Sequence, residues 1–416
     1  MVNIRFMLVA VTCMGFSTIA QAALTKGPYL ENVGPDHIII SFESDHETDG
    51  HVAYGIGKLD RRVDFDSGIG VQTVGLNDLQ PSTTYFYRLE LHDGAFSPTL
   101  TFSTAPGGPE PFRFVVLGDT RTDHGAHRQV AALVDELGGD FYLHTGDMVE
   151  DGDSGENWQT FFDIEQPLMS RMVMWPVMGN HEHRSDTLYD SLFHPPTPPG
   201  STSYYSFDYS NCHFTVIDSD TEFTEGSEQY NWIEADLASA QADGKIQHIF
   251  ALYHRPSYSS GWHGTEGLPL AETFHPLFTK YGVEMVFSGH DHDYERSQVD
   301  DIYYIVSGGG GAPYPPLLPE DQAPNPGNNP NSQVFLGIFH AIRCDVQGEE
   351  VACDVVDLTR SVRDSFGVNV SEVKPEQDNC TPCDSGCSSL GGRELWMLWL
   401  GLFLAMLQKM RNSPLS

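Results

Sequence analysis

Five times between residues 112 and 292 an apolar run breaks off into a short polar phrase, and this repetition constrains the fold more than any other feature of the chain. Residues 114–117 lead into Gly118-Asp119-Thr120-Arg121, residues 141–144 into Gly146-Asp147-Met148-Val149-Glu150, and residues 174–177 into Gly179-Asn180-His181-Glu182. Residues 249–252 lead into Tyr253-His254-Arg255-Pro256, and residues 285–287 into Gly289-His290-Asp291-His292. Short continuous apolar runs bounded by glycine read as buried strands, and a helical stretch at residues 127–137 separates the first two. With a further apolar run at residues 214–217, the alternation of strand, loop and helix predicts an α/β core. Such sheets present ligand-binding residues at the carboxyl ends of their strands, where all five phrases fall. The phrases offer carboxylates, an amide oxygen and imidazoles, a donor set suited to Zn, Mn or Fe. A lone strand-end Asp or His is ordinarily a turn former or a solvated residue. Five such phrases in sequence need a common explanation.

The preceding residues, 23–106, have a different texture. Residues 38–42 and 52–55 read as short strands, and residues 83–91 alternate with period two; Gly, Asp and Pro punctuate them at intervals suited to a small β-sandwich. The phrase Leu79-Gln80-Pro81-Ser82-Thr83-Thr84-Tyr85-Phe86-Tyr87 resembles the fibronectin type III signature. Pro106-Gly107-Gly108-Pro109 reads as a linker, and the second domain is expected over residues 111–360. Within it, residues 308–330 are rich in Gly, Pro and Asn and read as a long loop, and residues 336–358 as closing strands. The expected class is therefore α/β (α+β), a β-sandwich followed by the strand-end core.

Charge narrows the partners. With 58 acidic against 22 basic residues the formal net charge is −36, a surface that repels nucleic-acid backbone and argues against polyanion binding through a basic patch. An anionic substrate must then be attracted locally, by metal ions or a few Arg and His side chains.

The two ends read as targeting segments. Residues 1–22 have the form of an export signal, with Arg5 ahead of an apolar stretch and Ala20-Gln21-Ala22 as a cleavage site. Residues 361–390 are expected to be a linker carrying Cys380, Cys383 and Cys387, a weak zinc motif without a fourth ligand. Residues 391–416 contain thirteen apolar residues (395–407) followed by Lys409 and Arg411. As a helix that stretch reaches only about 20 Å of the roughly 30 Å hydrocarbon core, so it resembles a bacterial C-terminal sorting signal of the myxobacterial type, with a plain membrane anchor as the alternative. The expected location is periplasmic or cell-surface. Cys344 and Cys353 flank a turn-like Gln347-Gly348-Glu349-Glu350 and are expected to form a hairpin disulfide in an oxidising compartment, while Cys212 reads as a buried free thiol.

The order GD, GD, GNHE, H, GHxH resembles the signature of the calcineurin-like metallophosphoesterases. Gly289-His290-Asp291-His292-Asp293-Tyr294-Glu295-Arg296, together with the fibronectin-like region, is similar to the purple acid phosphatase branch. The resemblance spans roughly residues 25–360 and implies a two-sheet αββα sandwich with two metal ions (Fe, Zn or Mn) at the strand ends. By position, Asp119 and His292 would hold the first ion, Asn180, His254 and His290 the second, and Asp147 would bridge them. Two cations about 3.5–4 Å apart can hold a bridging hydroxide and clamp phosphoryl oxygens during in-line displacement. His181 is implied to contact the phosphate or protonate the leaving oxygen, and His263 lies close to a substrate-contacting position of the family. His144 is expected to pack within its strand, with His124, His127 and His183 at the rim or solvated.

Two positions depart from the family pattern. Glu150 stands where the purple branch carries its iron-bound tyrosine, so no purple colour is expected, and Glu150 is left as either an oxygen ligand or a solvated loop residue. Arg121 stands where many relatives have a ligating His and the purple branch has Gly; it cannot ligate a cation, which leaves substrate phosphate binding or a salt bridge to a ligand carboxylate or Glu150. The implied activity is hydrolysis of small phosphate monoesters, with phosphodiester or nucleotide hydrolysis and a non-catalytic surface binding protein as alternatives.

Overall fold

Alternation in the first hundred residues builds two facing sheets in the computed structural model, which describes residues 23–184, 186–264, 266–312 and 329–370. The expected export signal, the cysteine motif, the C-terminal apolar segment and most of the Gly/Pro/Asn-rich loop lie outside the described residues. The first sheet joins β1 (Leu24–Glu31), β2 (Ile38–Ser44) and β5 (Val71–Leu76); the second runs in the order β4 (Arg61–Gly68), β3 (Thr48–Gly55), β6 (Thr84–Leu91) and β7 (Leu100–Ser103). In β6 the inward residues Tyr85, Tyr87, Leu89 and Leu91 are buried while Thr84 and Phe86 face water, the period-two pattern of a half-buried strand. The sandwich is bolted to the following domain by side chains of its own strands. Tyr87 donates its hydroxyl to the Ser170 carbonyl, Tyr29 donates to the Leu192 carbonyl at 2.8 Å, and the Glu31 carboxylate accepts the His194 amide at 2.8 Å.

Two larger sheets follow. In chain order the elements are β8 (Phe112–Leu117), α1 (His124–Leu137), β9 (Phe141–His144), α2 (Gly155–Met169), β10 (Val173–Pro176), α3 (Asp186–Leu192), β11 (Tyr205–Tyr209) and β12 (Cys212–Val216). Next come α4 (Glu228–Ala242), β13 (His248–Leu252), α5 (Leu268–Tyr281), β14 (Val283–Ser288), β15 (Tyr294–Val299) and β16 (Ile302–Ser307). The last are β17 (Ser332–Leu336), β18 (His340–Gln347), β19 (Glu350–Asp357) and β20 (Val362–Val368). One sheet has the order β10-β9-β8-β18-β19-β20 and the other β11-β12-β13-β14-β16-β15-β17. The strands that carry the polar phrases are parallel neighbours within their sheets: β8, β9 and β10 in one, β13 and β14 in the other.

Three apolar layers explain why this arrangement is an αββα sandwich. Phe114 and Val116 of β8 point between the sheets, where Phe114 meets Phe214 edge-on at 5.5 Å and Phe287 at 6.1 Å. Val115 and Leu117 point the other way, against Val130 and Val134 of α1 and Phe161 and Phe162 of α2. Beyond the second sheet, α4 and α5 cover Ile249, Ala251 and Val286. A strand buried on both faces needs apolar residues at every position, which is why these runs are continuous rather than alternating.

Three boundaries differ from the sequence reading. Helix α1 begins at His124, because the Asp123 carboxylate caps the amides of Gly125 and Ala126. The closing strands, expected from residue 336, begin earlier: residues 332–336 form β17 against β15. The first large sheet also runs past residue 360, since β20 pairs with β19. Only Phe366 of β20 is buried, so an edge strand this polar carries no hydrophobic signal. Cys344 and Cys353 face each other across the β18–β19 hairpin and are joined by a disulfide; Cys212 is a buried free thiol.

Candidate metal centre

The ends of β8, β9, β10, β13 and β14 converge on one edge, and the loops there pack backbone against backbone. The Asp119 amide donates to the Gly146 carbonyl and the Gly289 amide to the His254 carbonyl, both at 2.9 Å. Glycine is required where the loops touch. A Cβ on Gly179 would lie 2.4 Å from the Asp147 amide nitrogen, and one on Gly289 would lie 2.4 Å from an Asp119 carboxylate oxygen. Asp119, Asp147 and His290 all have positive φ (56°, 54° and 71°), a conformation that costs non-glycine residues of order 1 kcal/mol or more and clusters at functional sites.

The structure brings all six residues of the implied ligand set together, in two groups that differ. In the second seat, the Nδ1–H of His254 donates to the Thr145 carbonyl at 2.8 Å, which turns Nε2 inward. Around that Nε2 stand Asn180 Oδ1 at 3.1 Å, Asp147 Oδ1 at 3.2 Å and His290 Nδ1 at 3.2 Å. One imidazole proton satisfies only one of three such neighbours. Two nitrogens and two oxygens converging on one point, all on buried or half-buried residues, have the chemistry of a cation's inner shell. The second ion fits the residues present.

The first seat is made by Asp119, Asp147 and His292, whose donor atoms lie within 4.8 Å of one another. The Asp119 carboxylate accepts the His290 amide at 3.0 Å and has His292 Nε2 at 3.8 Å from Oδ1. Here Arg121 intervenes. Its Nε donates to Asp147 Oδ2 at 3.1 Å, its Nη2 to His292 Nε2 at 3.1 Å and its Nη1 to Glu150 Oε2 at 2.9 Å. Of the roles left open for Arg121, the geometry contains the salt bridge to a ligand carboxylate and to Glu150. Glu150 is spoken for as well, since Thr122 Oγ1 also donates to it at 2.6 Å. The first ion does not fit these donors as they stand, because a guanidinium already uses two of them.

Burial and charge shape the protonation of the centre. Burial pushes the Asp119 carboxyl well above its usual range, against the opposing pull of His254. Burial acts on Asp147 too, but His254, His181 and Arg121 outweigh it and hold that carboxylate ionised to well below the usual range. Burial, with the like charge of His254, pushes His290 down, so its imidazole is neutral and one ring nitrogen keeps a lone pair for ligation.

His181 lies at the rim of this cluster. Its Nδ1–H donates to the Glu150 carbonyl at 2.6 Å, and its Nε2 sits 3.7 Å from Asp147 Oδ2. His263 packs its ring 4.1 Å from that of His290 and pairs through Nδ1 with Glu266 at 2.9 Å, leaving it about a third exposed at the mouth. His144 is buried at the end of β9, accepting the Gly146 amide and facing Thr120 Oγ1 at 3.1 Å. His127, read as a rim or solvated residue, is instead buried against Glu165 at 2.7 Å between α1 and α2. His183 faces Asp218 at 2.8 Å.

Two supporting carboxylates had no role in the sequence reading. Glu182 is fully buried and accepts three backbone amides, Asp147 and Gly179 at 2.9 Å and Val149 at 3.2 Å, so one side chain fixes both loops that feed the second seat. Burial and the neighbouring Asp147 raise its pKa to about 7. Asp291 accepts the Ser259 hydroxyl and the His263 amide, which anchors the loop carrying His263. Their place inside the strand-end phrases was the available signal, but a buried anchor and a solvated loop acid look alike in sequence.

Two facing sheets with a carboxylate, amide and imidazole cluster at their shared strand ends define a metallophosphoesterase. Residues 112–294 match the family model described as calcineurin-like phosphoesterase. Purple acid phosphatase 22 of Arabidopsis thaliana is 31% identical over 297 residues, 64% of this chain and 66% of that protein. Probable purple acid phosphatase 20 of the same plant is 30% identical over 297 residues, 64% of this chain and 68% of that protein. Among solved structures, the purple acid phosphatase PPD1 from yellow lupin (Lupinus luteus) seeds superposes with a TM-score of 0.68 at 20% identity, covering 82% of this chain and 73% of that one. The chain thus spans about two thirds of the length of these two plant relatives. It belongs to the calcineurin-like metallophosphoesterases, in the purple acid phosphatase branch, a family of metal-dependent phosphoester hydrolases.

Proposed function

We propose that this chain is an exported phosphatase that hydrolyses small phosphate monoesters at the strand-end centre. The observation that carries the reading is the convergence of Asn180, Asp147 and His290 on the inward nitrogen of His254. The ion that fits the second seat would, when bound, supply positive charge at the phosphoryl oxygens and an activated water. Asp147, Asn180, His254 and His290 would hold the second ion, whereas the first does not fit Asp119, Asp147 and His292 while Arg121 occupies two of their donor atoms.

The chain's own residues account for the remaining steps. His181 is oriented by the Glu150 carbonyl so that Nε2 faces the centre; carrying a proton there, it can donate to the leaving oxygen. His263 and the remaining N–H groups of Arg121 stand at the mouth as donors to a phosphate oxygen. A surface at −36 disfavours polyanionic substrates, so the substrate is a small ester whose charge sits on the phosphate itself. Export is supported by the Cys344–Cys353 disulfide, a bond that persists in oxidising compartments. Among the described residues no helix is long and apolar enough to cross a membrane, and cell-surface or membrane attachment through the tail remains part of the proposal.

Turnover of nitrophenyl mono- and diesters by metal-loaded and chelator-stripped protein tests this reading. Metal-dependent cleavage of the monoester is expected. Cleavage of the diester alone would transfer the site to phosphodiester or nucleotide chemistry, and cleavage of neither would leave a binding protein.

A further inference from the structure

We infer that Arg121 is a built-in cation at the first seat, so that the chain binds one metal ion tightly, in the second seat, and holds a guanidinium where its relatives hold the other ion. The inference rests on the metal-centre reading above and concerns how many ions that centre takes.

Three contacts carry it. Every nitrogen of the guanidinium is engaged: Nε on Asp147 Oδ2, Nη2 on His292 Nε2 and Nη1 on Glu150 Oε2, at 3.1, 3.1 and 2.9 Å. The first two acceptors are donor atoms that an ion in the first seat would require. The third, Glu150, stands where the purple branch carries its metal-bound tyrosine, and it is turned to Arg121 and Thr122 instead. The two departures from the family pattern are therefore partners of one another. A residue that cannot ligate is paired with a carboxylate that balances its charge.

The second seat has no such competitor. Arg255 stands 3.2 Å from the outward Nε2 of His290, and Glu266 Oε2 lies 3.4 Å from the same nitrogen, where it can accept the ring proton and leave the lone pair on the inward Nδ1 that faces His254. Arg255 is itself held by Asp220 at 2.8 Å and Glu266 at 2.7 Å. Arg121 is firmly placed, with a side chain only 16% exposed and Asp147 almost fully buried beneath it. A guanidinium keeps its charge throughout the working pH range, so the charge is permanent. A divalent ion among the same donors would meet a like charge at contact distance in a poorly solvated site. A planar fork with N–H groups also suits a phosphoryl oxygen, so the guanidinium can serve the charge-neutralising part of the missing ion's role while ligating nothing.

Metal content tests this without reference to turnover. Chelator-stripped full-length protein is reloaded with Mn²⁺, desalted and analysed for metal per chain, alongside Arg121→Gly and Arg121→Lys. Wild type and Arg121→Lys are expected to retain one ion and Arg121→Gly two. The paramagnetic resonance spectrum should be that of an isolated Mn²⁺ in the first two proteins and of an exchange-coupled pair in the third. Two tightly held, coupled ions in the wild type overturn the inference, as does Arg121→Gly that folds and still holds one. If Arg121→Gly does not fold, Arg121→His, which supplies a ligating side chain, is expected to hold two, and one ion there overturns the inference equally. No ion in any of the proteins would instead sink the metal-centre reading on which this inference stands.

Discussion

The two seats of the metal centre share Asp147 and are built by the same strand ends, yet they are furnished differently. The second is closed by an amide and two imidazoles, whose outward nitrogens face acceptors, the Thr145 carbonyl for His254 and Glu266 Oε2 for His290. The first has its carboxylate and imidazole but is covered by a guanidinium and flanked by a carboxylate that serves that guanidinium. Conserving a ligand list does not conserve a site. A ligand is available only if the residues around it leave its lone pair free.

Removing the shared residue should have the largest effect. Asp147→Asn is expected to reduce phosphate-ester turnover to background, since the amide keeps the shape but loses the charge that serves both seats; unchanged activity would refute the placement of the centre. Next in size is a contrast between seats. His254→Ala should abolish tight metal retention together with turnover, whereas His292→Ala should leave the retained ion in place and lower kcat/KM by about tenfold to a hundredfold, the range seen when a supporting partner is lost. Equal losses of bound metal in both variants would erase the asymmetry.

The smallest effect lies outside the centre, at a histidine that is a charge clamp rather than a donor. His213 of β12 bridges Asp208 at 2.7 Å and Asp236 at 2.9 Å. Burial would lower its pKa, but the two carboxylates outweigh burial and raise it from 6.5 to about 9. A raised histidine pKa stabilises the fold fully below the unfolded value and loses that contribution as pH rises through the folded one. Relative to His213→Gln, the wild type should therefore be more stable at or below pH 6.5, by on the order of 3 kcal/mol, with the advantage gone above about pH 9. Denaturant midpoints of the two proteins across that range check it, and a pH-independent difference would show that His213 acts only by packing.

Much of this centre was legible because short-range rules act strongly there. Apolar runs that end in Gly-Asp or Gly-His specify a buried strand and a tight turn at its end, and the family order supplied the pairing of phrases with seats. Legibility failed where the partner is distant in the chain. Arg121 and Glu150 are 29 residues apart, and the sequence offered their salt bridge only as one of the roles open to Arg121, beside substrate binding. His127 read as a rim or solvated residue because its partner, Glu165, lies on another helix. Strand β20 escaped notice because an edge strand needs backbone pairing more than apolar side chains.

What the sequence determined by itself is the set of chemical groups and the strand ends that carry them. Side-chain type and strand periodicity are properties of adjacent residues. Only the tertiary structure decided which lone pairs are free. Packing the two sheets face to face brings His254 and His290 of one beside Asp147 and Asn180 of the other, and lays the Arg121 guanidinium across Asp147 and His292. Contacts of about 3 Å between groups more than a hundred residues apart depend on how the whole core packs, so the difference between the two seats exists only in the folded chain.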